Sequence, residues 1–449
     1  MRCTTTRLRS APGSGLLMAL VLLLSAERGA ANGRFPAAGQ VVFNPSNPDH
    51  LVAVTTLGLA ESRDGGESFS WICESVMGLT GTVDPSVAIT QSGVLVSTNY
   101  TTGVVRSEDG CSFTAVTAWS SVVVPDLSLS RSAPRELFSL RASVVGGDQF
   151  ESTIVHSIDE GRTWQDVGSL PEAFLPLTVD VAPSEPERVY VSARVGSQED
   201  YVSVLFRSDD GGVSFARAAT LPETENLRLA FIGGVHPTNP DLLYVRVDHP
   251  DGTRLWRSDD GGASVELVFT AVGALLGFAL SEDEVAFGGP MDGLWVGDPR
   301  AEAFERRADV GPLCLAYGPE GLYACADAAT DGFTLGRSDD SGQSFEPLLE
   351  LALLCGPTAC SSETQVGVQC PFEWNEVARR LGTTCGVAAS NSSGTGGEQG
   401  ASGSSQAGAS RSSGSCTLGR RAAPGRSAPL WGIVLLCSVF VARRELTRV

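Results

Sequence analysis

A short sequence pattern, Ser-x-Asp-x-Gly-x-Ser/Thr-aromatic, recurs along most of this chain and constrains its fold more than any other feature. Its clearest copy runs from Ser208 to Phe215 and follows a short apolar stretch. The Asp carboxylate can accept hydrogen bonds from backbone N–H groups of its own turn, and Gly adopts a positive φ without steric cost. The aromatic side chain closes the turn by packing against the next strand. The pattern therefore predicts a hairpin turn between two β-strands.

Six copies of the pattern occur between Ser62 and Phe345, and we call them the repeated turns. Successive copies begin 45, 50, 51, 50 and 80 residues apart. The second copy is one residue shorter than the others, and the fifth lacks the aromatic residue. The predicted turn residues are Ser62, Asp64, Gly66 and Phe69; Ser107, Asp109 and Phe113; Ser157, Asp159, Gly161 and Trp164; Ser208, Asp210, Gly212 and Phe215; Ser258, Asp260 and Gly262; and Ser338, Asp340, Gly342 and Phe345.

The repeated turns resemble the Asp-box, or bacterial neuraminidase repeat. That motif lies between the third and fourth strands of β-propeller blades in sialidases, sortilin-type receptors and photosystem II assembly factors. The resemblance covers the chain from Gln40 to Leu351. It implies an all-β propeller with these turns on one face. In sialidases the motif lies on the face opposite the active site, so the resemblance implies a fold and not an activity.

The interval of 80 residues is about twice a repeat length, which indicates that one unit has lost its turn. The segment from Gly293 to Phe304 fills this gap, with Pro299 where the Asp should stand. Short apolar strands separated by turn residues give four strands per unit. A lone four-stranded unit cannot bury both faces, whereas radial stacking of units can. The sequence therefore predicts a seven-bladed β-propeller over residues 32–352.

Residues 1–31 are typical of a secretory signal peptide, with a basic start, an apolar stretch from Leu16 to Leu24 and small residues before a cleavage point after Ala31. The chain carries 52 acidic and 32 basic residues, a formal charge of −20. Nucleic acid is excluded as a partner because phosphate binding needs a basic face. The acidity is compatible with a basic protein or a cation as a partner, or simply with solubility after export.

Residues 388–415 are rich in Ser and Gly and are predicted to form a flexible linker. Residues 416–449 follow, with a Cys, a 15-residue apolar run from Ala428 to Ala442 and then two arginines. This order resembles the myxobacterial C-terminal sorting tail, which implies processing and lipid attachment at Cys416. A plain short membrane anchor is the alternative. Both interpretations predict an exported protein held at the cell surface or outer membrane through this tail.

Eight cysteines remain when Cys3, Cys416 and Cys437 are set aside, and export favours disulfides among them. Cys314 and Cys325 flank one predicted turn and are expected to face each other on paired strands. Cys73 and Cys111 lie in adjacent blades that could bring them together. The other four, for which three pairings stay open, are predicted to staple a small module over residues 353–387: Cys355, Cys360, Cys370 and Cys385. A short helix is predicted there over Asn375–Leu381, ended by Gly382.

No catalytic residue is predicted. A sialidase uses an arginine triad, a Tyr nucleophile paired with Glu and an Arg-Ile-Pro segment, and the nearest match here is Arg34-Phe35-Pro36. We therefore expect a monomeric, non-catalytic binding module with an unidentified protein or glycan ligand at the cell surface. Two alternatives stay open, namely a sialidase-like glycoside hydrolase and an assembly or stability factor for an envelope complex.

The connections between second and third strands should lie on the face opposite the repeated turns. Arg254 is the one basic residue that we find in them. A propeller channel would concentrate the field of their acids, which predicts calcium or a basic partner as ligand; a solvated rim without ligand is the alternative. No other cofactor or metal is predicted. The acids are Asp148, Glu151, Glu199, Asp200, Asp248, Asp251, Asp292, Asp327 and Asp331.

Overall fold

The computed structural model describes residues 35–385 except 80–83, 100–102, 119–121, 147–148, 198–199, 226–227, 302 and 384. These residues form seven antiparallel sheets, each built from strands that are consecutive in the sequence. Six sheets have four strands, and the third has five. The first strands pack on one another around a common axis, and the seventh sheet meets the first, where the rings of Phe43 and Tyr323 lie 4.7 Å apart. The fold is the predicted seven-bladed β-propeller. The predicted signal peptide, linker and tail lie outside the described residues.

The strands are numbered in chain order. Blade 1 has β1 (Ala38–Asn44), β2 (Asn47–Thr55), β3 (Gly58–Ser62) and β4 (Ser70–Cys73); blade 2 has β5 (Val87–Ile89), β6 (Leu95–Asn99), β7 (Gly103–Ser107) and β8 (Thr114–Ala118). Blade 3 has β9 (Val122–Val123), β10 (Leu127–Leu129), β11 (Leu137–Gly146), β12 (Gln149–Ser157) and β13 (Gln165–Ser169); blade 4 has β14 (Ala173–Val181), β15 (Val189–Gly196), β16 (Tyr201–Ser208) and β17 (Ala216–Thr220).

The remaining blades follow the same order. Blade 5 has β18 (Ala230–Val235), β19 (Leu243–Val247), β20 (Arg254–Ser258) and β21 (Glu266–Thr270); blade 6 has β22 (Gly277–Leu280), β23 (Val285–Gly289), β24 (Gly293–Gly297) and β25 (Glu305–Ala308); blade 7 has β26 (Cys314–Gly318), β27 (Gly321–Cys325), β28 (Leu335–Ser338) and β29 (Glu346–Leu349). The helices are α1 (Ala328–Asp331) and α2 (Gln365–Leu381), with short 3₁₀ turns at Glu74–Met77 and Leu351–Leu353.

Side chains of one blade form hydrogen bonds with backbone groups of the first strand of the next blade. The first strand of a blade has a sheet partner on one side only, so its other edge presents unpaired backbone groups to the channel. The Gln40 side chain bonds both the N–H and the C=O of Val87, at 3.0 and 3.1 Å. The Asp126 carboxylate accepts the N–H of Val179 at 3.0 Å, and Thr178 Oγ1 accepts the N–H of Ile232 at 3.0 Å. These bonds fix successive blades around the axis.

Each repeated turn joins the third and fourth strands of its blade, as predicted. In blade 4, Ser208 Oγ accepts the N–H of Gly212 at 2.9 Å and donates to Asp210 at 2.7 Å. The Asp210 carboxylate also accepts the N–H of Ser214 at 2.8 Å. Gly212 has φ 88°, which an L side chain rarely adopts. The aromatic residue, Phe215, is half-buried against the blade core.

Blade 6 is the unit predicted to lack the turn. Its third and fourth strands are joined by residues 298–304, in which Asp298 takes a partial turn role and accepts the N–H of Arg300 at 2.7 Å. The carbonyl of Pro299, which stands where the turn Asp would be, accepts the hydroxyl of Tyr244 at 2.6 Å. The strand pairing of a blade therefore survives without the repeated turn.

The segment after blade 7 returns to blade 1 and clasps the ring. Trp71 of β4 donates its N–H to the carbonyl of Gly356 at 3.1 Å, and the N–H of Thr358 donates to the carbonyl of Trp71 at 2.8 Å. The indole rings of Trp71 and Trp374 lie 5.5 Å apart in a core that blade 1 and α2 share. We call residues 351–385 the clasp. It shares the hydrophobic core of blade 1.

Two disulfides tie the clasp to the propeller, and they overturn the expected pairing. Cys73 bonds Cys370 and Cys111 bonds Cys360, so Cys73 does not bond Cys111 and the module is not stapled within itself. The reason is that α2 lies against β4 and brings Cys370 beside Cys73, an arrangement that cysteine spacing does not encode. The predicted Cys314–Cys325 bridge is present between the directly paired residues of β26 and β27.

The remaining two candidate cysteines, Cys355 and Cys385, are unpaired and exposed. Their thiols lie within hydrogen-bonding distance of each other. The Thr383 hydroxyl donates to the carbonyl of Leu354 at 3.2 Å, which joins the chain segment of Cys385 to that of Cys355.

The clasp helix is longer than predicted. It begins at Gln365, capped by Thr364, which accepts the N–H of Gly367, and it ends at Gly382, as expected, with φ 73°. The sequence predicted only Asn375–Leu381, from the apolar spacing of Trp374, Val377 and Leu381. Here Pro371 lies inside the helix, and the Cys73–Cys370 bond fixes the turn beside it. None of the helices in the described part of the chain is long and apolar enough to cross a membrane.

Candidate functional site: the face opposite the repeated turns

The repeated turns and the connections between first and second strands share one face. The N–H of Gly65 donates to the carbonyl of Asp49, and the N–H of Gly211 donates to the carbonyl of Glu187, at 2.9 and 2.8 Å. We call this the repeat-turn face. The connections between second and third strands, and those between blades, therefore lie on the other side of the ring, which we call the opposite face.

The Asp residues of the repeated turns are hydrogen-bonded within the repeat-turn face. Hydrogen bonds from the Ser214 hydroxyl and N–H lower the pKa of Asp210 to about 2. The equivalent bonds from Ser344 lower the pKa of Asp340 to about 2. These carboxylates are engaged within their own turns, so they are poor candidates for ligand contacts.

Four of the acids predicted for the opposite face are engaged within the fold. The Asp292 carboxylate accepts the N–H groups of Val272 and Gly273 at 2.7 and 2.9 Å. Asp327 caps α1, and Asp331 accepts the N–H of Gly311. Burial raises the pKa of Asp248, and the nearby charge of Arg246 opposes that shift. These side chains stabilise the connections, and no two of them form a pair of free carboxylates that could bind a ligand.

Three other predicted acids are exposed on this face, namely Glu151, Asp200 and Asp251. Asp251 lies 3.6 Å from the ring of His249, and its side chain is 78% exposed. Asp148 and Glu199 lie outside the described residues. These three exposed acids belong to blades 3, 4 and 5, which are neighbours in the ring.

The expectation that Arg254 alone opposes the acids is wrong. Arg217 pairs with Glu172 at 2.9 Å, and Arg306 donates to the carbonyl of Asp292 at 3.1 Å. Arg246 donates to the carbonyl of Leu275. These arginines lie within strands, and the sequence analysis counted only the connections. Among the described residues no three His, Cys, Asp or Glu side chains come together in a way that could hold a metal ion. Calcium binding stays a prediction.

A groove opens on this face between blades 3 and 4, with a volume of about 510 Å³. Strand β12 contributes Phe150, Glu151 and Ser152, the link into blade 4 contributes Glu172, and β14 contributes Phe174. The rings of Phe150 and Phe174 meet edge to face, with centroids 5.2 Å apart. Ser152 is 3% exposed, and its hydroxyl has no hydrogen-bond partner among the described residues. An unpaired buried hydroxyl is unfavourable, so the groove holds an unmet hydrogen-bonding group.

Of the groove residues the sequence analysis singled out only Glu151, although one signal for Glu172 was present. The tripeptide Leu-Pro-Glu occurs at Leu170–Glu172 and again at Leu221–Glu223, 51 residues apart, in the links into blades 4 and 5. Both glutamates have positive φ, 64° and 57°, where a turn ordinarily uses Gly. An L residue in this conformation costs about 1 kcal/mol. Each of these two links thus places a carboxylate at a strained position.

The channel between the faces holds two half-buried carboxylates, Asp126 and Asp180. Loss of hydration raises the pKa of Asp126 and of Asp180 to about 6 each. The charge of Asp126 raises the pKa of Asp180 further, while Arg131 opposes the shift. Asp180 lines a cavity of about 120 Å³ with Tyr317 and Phe278, too small for a sizeable ligand. The channel acids therefore belong to the interior and not to the opposite face.

No protein-family model and no curated protein matches this chain. Among solved structures, a GH74 xyloglucanase from Xanthomonas campestris is similar over 72% of this chain and 55% of its own, with 14% identity and a TM-score of 0.42. A Hadza microbial sialidase is similar over 62% of this chain and 71% of its own, with 12% identity and a TM-score of 0.40.

The structure of YCF48 bound to D1 peptide is similar over 56% of this chain and 74% of its own, with 16% identity and a TM-score of 0.36. The chain thus spans about half the length of the xyloglucanase. These propellers include enzymes and a peptide-bound protein, and at such identities the likeness concerns the fold alone.

Proposed function

We propose that this protein is a non-catalytic binding module, exported and held at the cell surface, that binds a basic protein partner through the opposite face. The observation that carries the proposal is the groove, where exposed Glu151 and Glu172 flank the buried, unpartnered hydroxyl of Ser152. The rest of the propeller supplies a rigid frame, because each inner strand is bonded to the preceding blade or packed against it.

The arginines of the opposite face support a non-catalytic role. A sialate carboxylate would need several free guanidinium groups that converge on one point. Arg217, Arg246 and Arg306 each bond a carboxylate or a carbonyl of the protein. Arg254 likewise donates to the carbonyl of Gly252 at 3.0 Å. The accessible charge beside them is negative, which suits a basic partner and disfavours a sialoside.

The test is a titration of the purified full-length protein with fluorescein-labelled decalysine at 0.15 M salt. We expect saturable binding that the triple variant Glu151→Gln, Asp200→Asn, Asp251→Asn weakens at least about tenfold, since each pair lost removes a charge-assisted contact. A matched triple variant on the repeat-turn face, Glu67→Gln, Glu187→Gln, Asp283→Asn, removes the same charge and should leave binding nearly unchanged.

Equal weakening by both triple variants would show that net charge alone attracts the peptide, and it would overturn the proposal. Turnover of a fluorogenic sialoside by the same sample would contradict the non-catalytic role. A melting temperature measured for each variant separates loss of binding from loss of folding.

A further inference from the structure

The groove between blades 3 and 4 offers hydrogen-bond acceptors above an apolar floor. Glu151 is exposed, and no hydrogen bond or ion pair of its carboxylate is present among the described residues. The Glu172 side chain is 66% exposed. A carboxylate has about four acceptor sites and the Ser152 hydroxyl has two, so the groove accepts many more hydrogen bonds than it can donate. Such a site suits a ligand that carries several N–H donors and a positive charge.

The strained backbone of Glu172 presents its carboxylate beside this floor. Its φ of 64° would be unstrained for Gly, so the turn itself has no need of a glutamate. Arg217 of blade 4 already donates to this carboxylate at 2.9 Å and leaves its other oxygen open. The ion pair shows that a guanidinium reaches Glu172 in this setting. With Glu151 included, the groove keeps a net negative charge.

The aromatic floor distinguishes between the two cationic side chains of proteins. Phe150 and Phe174 meet edge to face, with centroids 5.2 Å apart, and both line the groove beside the acidic rim. A planar guanidinium stacks on such a face while its edge donates to carboxylates, whereas an ammonium group is a strongly hydrated point charge. The volume of about 510 Å³ is within the range of sites that enclose small ligands.

We propose that this groove takes an arginine side chain of the protein partner. The guanidinium donates to Glu151 and to the free oxygen of Glu172, its plane rests on the phenylalanine rings, and one N–H donates to Ser152 Oγ. This inference rests on the proposed function, because it assigns one contact of the same face. It also explains why a buried hydroxyl stands without a protein partner.

The test compares two peptides that differ in charge and hardly in shape: N-acetyl-Gly-Arg-Gly-amide and the same peptide with citrulline in place of arginine. Ligand-observed NMR on the full-length protein at 0.15 M salt measures both affinities. We expect the arginine peptide to bind at least about tenfold more tightly, because a hydrogen bond to a charged group is worth more than a neutral one.

Three groove variants and one control complete the test. Glu151→Gln and Glu172→Gly should each weaken the arginine peptide roughly tenfold, and Ser152→Ala a few fold. Glu172→Gly relieves the strained φ, so its melting temperature should not fall even though binding does. Glu67→Gln, an exposed carboxylate on the repeat-turn face, should change nothing.

Equal affinity for the two peptides, or groove variants that bind like the wild type, would overturn the arginine assignment. If decalysine still binds through Asp200 and Asp251 in that case, the proposed function stands and only the groove is excluded. If neither decalysine nor the arginine peptide binds, both proposals fail together.

Discussion

The two faces of this propeller differ in how completely their polar groups are satisfied. On the repeat-turn face, the turn side chains are hydrogen-bonded within their own turns, as Ser208 and Asp210 are. On the opposite face, the buried hydroxyl of Ser152 has no hydrogen-bond partner among the described residues. An unpaired buried hydroxyl is unfavourable for folding, so it is a reason to look for a ligand there. The contrast indicates that the repeated sequence marks the structural face, and it is the reason why we propose a binding site on the opposite face.

The largest expected effect concerns the clasp, which is anchored on the repeat-turn side through Cys111. Replacing Cys73 and Cys370 by Ala should lower the free energy of unfolding by about 4 kcal/mol, because with Cys111–Cys360 intact this bond still closes a loop of roughly 50 residues in the unfolded chain. Replacing Cys314 and Cys325 by Ala, which opens a loop of sequence separation 11, should cost about 3 kcal/mol.

Urea denaturation of the two double variants beside the wild type measures both losses. A larger loss from the Cys314–Cys325 pair would contradict the role of the clasp in closing the ring. Decalysine binding by the folded fraction should be the same in all three proteins, since neither bond lies at the groove.

The same substitution should have different effects on the two faces. Ser208→Ala leaves the buried N–H of Gly212 without an acceptor and should cost about 2 kcal/mol. Ser152→Ala removes a hydroxyl that has no partner and should change stability by less than about 1 kcal/mol, in the stabilising direction if at all. Chemical denaturation compares them directly, and similar losses would erase the distinction between the faces.

A pH titration separates the channel from the repeat-turn face. Asp126 and Asp180 have folded pKa values of about 6, above the ordinary value of about 3.9, so the folded state takes up protons first as pH falls. Stability should therefore rise between pH 8 and pH 5, by roughly 3 °C in melting temperature. The turn carboxylates, with pKa values lowered to about 2, stabilise above about pH 4 and lose that contribution below it.

Asp126→Asn is the control for this titration. The amide oxygen can still accept the N–H of Val179, while the charge is removed. The variant should be more stable than the wild type at pH 8 and should gain less as pH falls to 5. The contrary result is a wild-type melting temperature that falls as the pH drops from 8 to 5, with the variant following the same curve. It would show that burial does not raise the pKa values of the channel acids.

The smallest expected effect concerns the two Leu-Pro-Glu links. Glu223→Gly, like Glu172→Gly, should raise the free energy of unfolding by about 0.5 kcal/mol, since relief of the positive φ exceeds the added entropy of Gly in the unfolded chain. Only Glu172→Gly should also weaken the arginine peptide. Thermal denaturation should show that both variants gain stability. The peptide titration should show that only Glu172 also contacts a ligand.

The sequence predicted the fold because the contacts that define each blade join residues close together in the sequence. The repeated turn bonds within a few residues, as Ser208 does with Gly212, so its spacing gave the number of blades and revealed the degenerate unit at Gly293–Phe304. Cys314 and Cys325 were predictable for the same reason, since one hairpin places them opposite each other.

The other pairings and the groove depend on neighbours that are distant in sequence. Cys73 meets Cys370 across a separation of 297 residues, and no spacing rule relates them. Ser152 resembles any other strand serine until the structure shows that its hydroxyl lacks a partner. Acid counts overstated the charge of the opposite face, because Asp292 and Asp327 are bonded to their own loops and arginines on the strands pair with others.

The most direct test of the binding face is to map where an arginine ligand attaches. A peptide that carries one arginine next to a photoreactive benzophenone residue is irradiated with the full-length protein, and the cross-linked residues are identified by mass spectrometry. We predict cross-links in β12 and in residues 170–174, which span the link into blade 4 and the start of β14. These cross-links should be lost in Glu151→Gln. Cross-links concentrated in the repeated turns, unchanged by that substitution, would contradict the account.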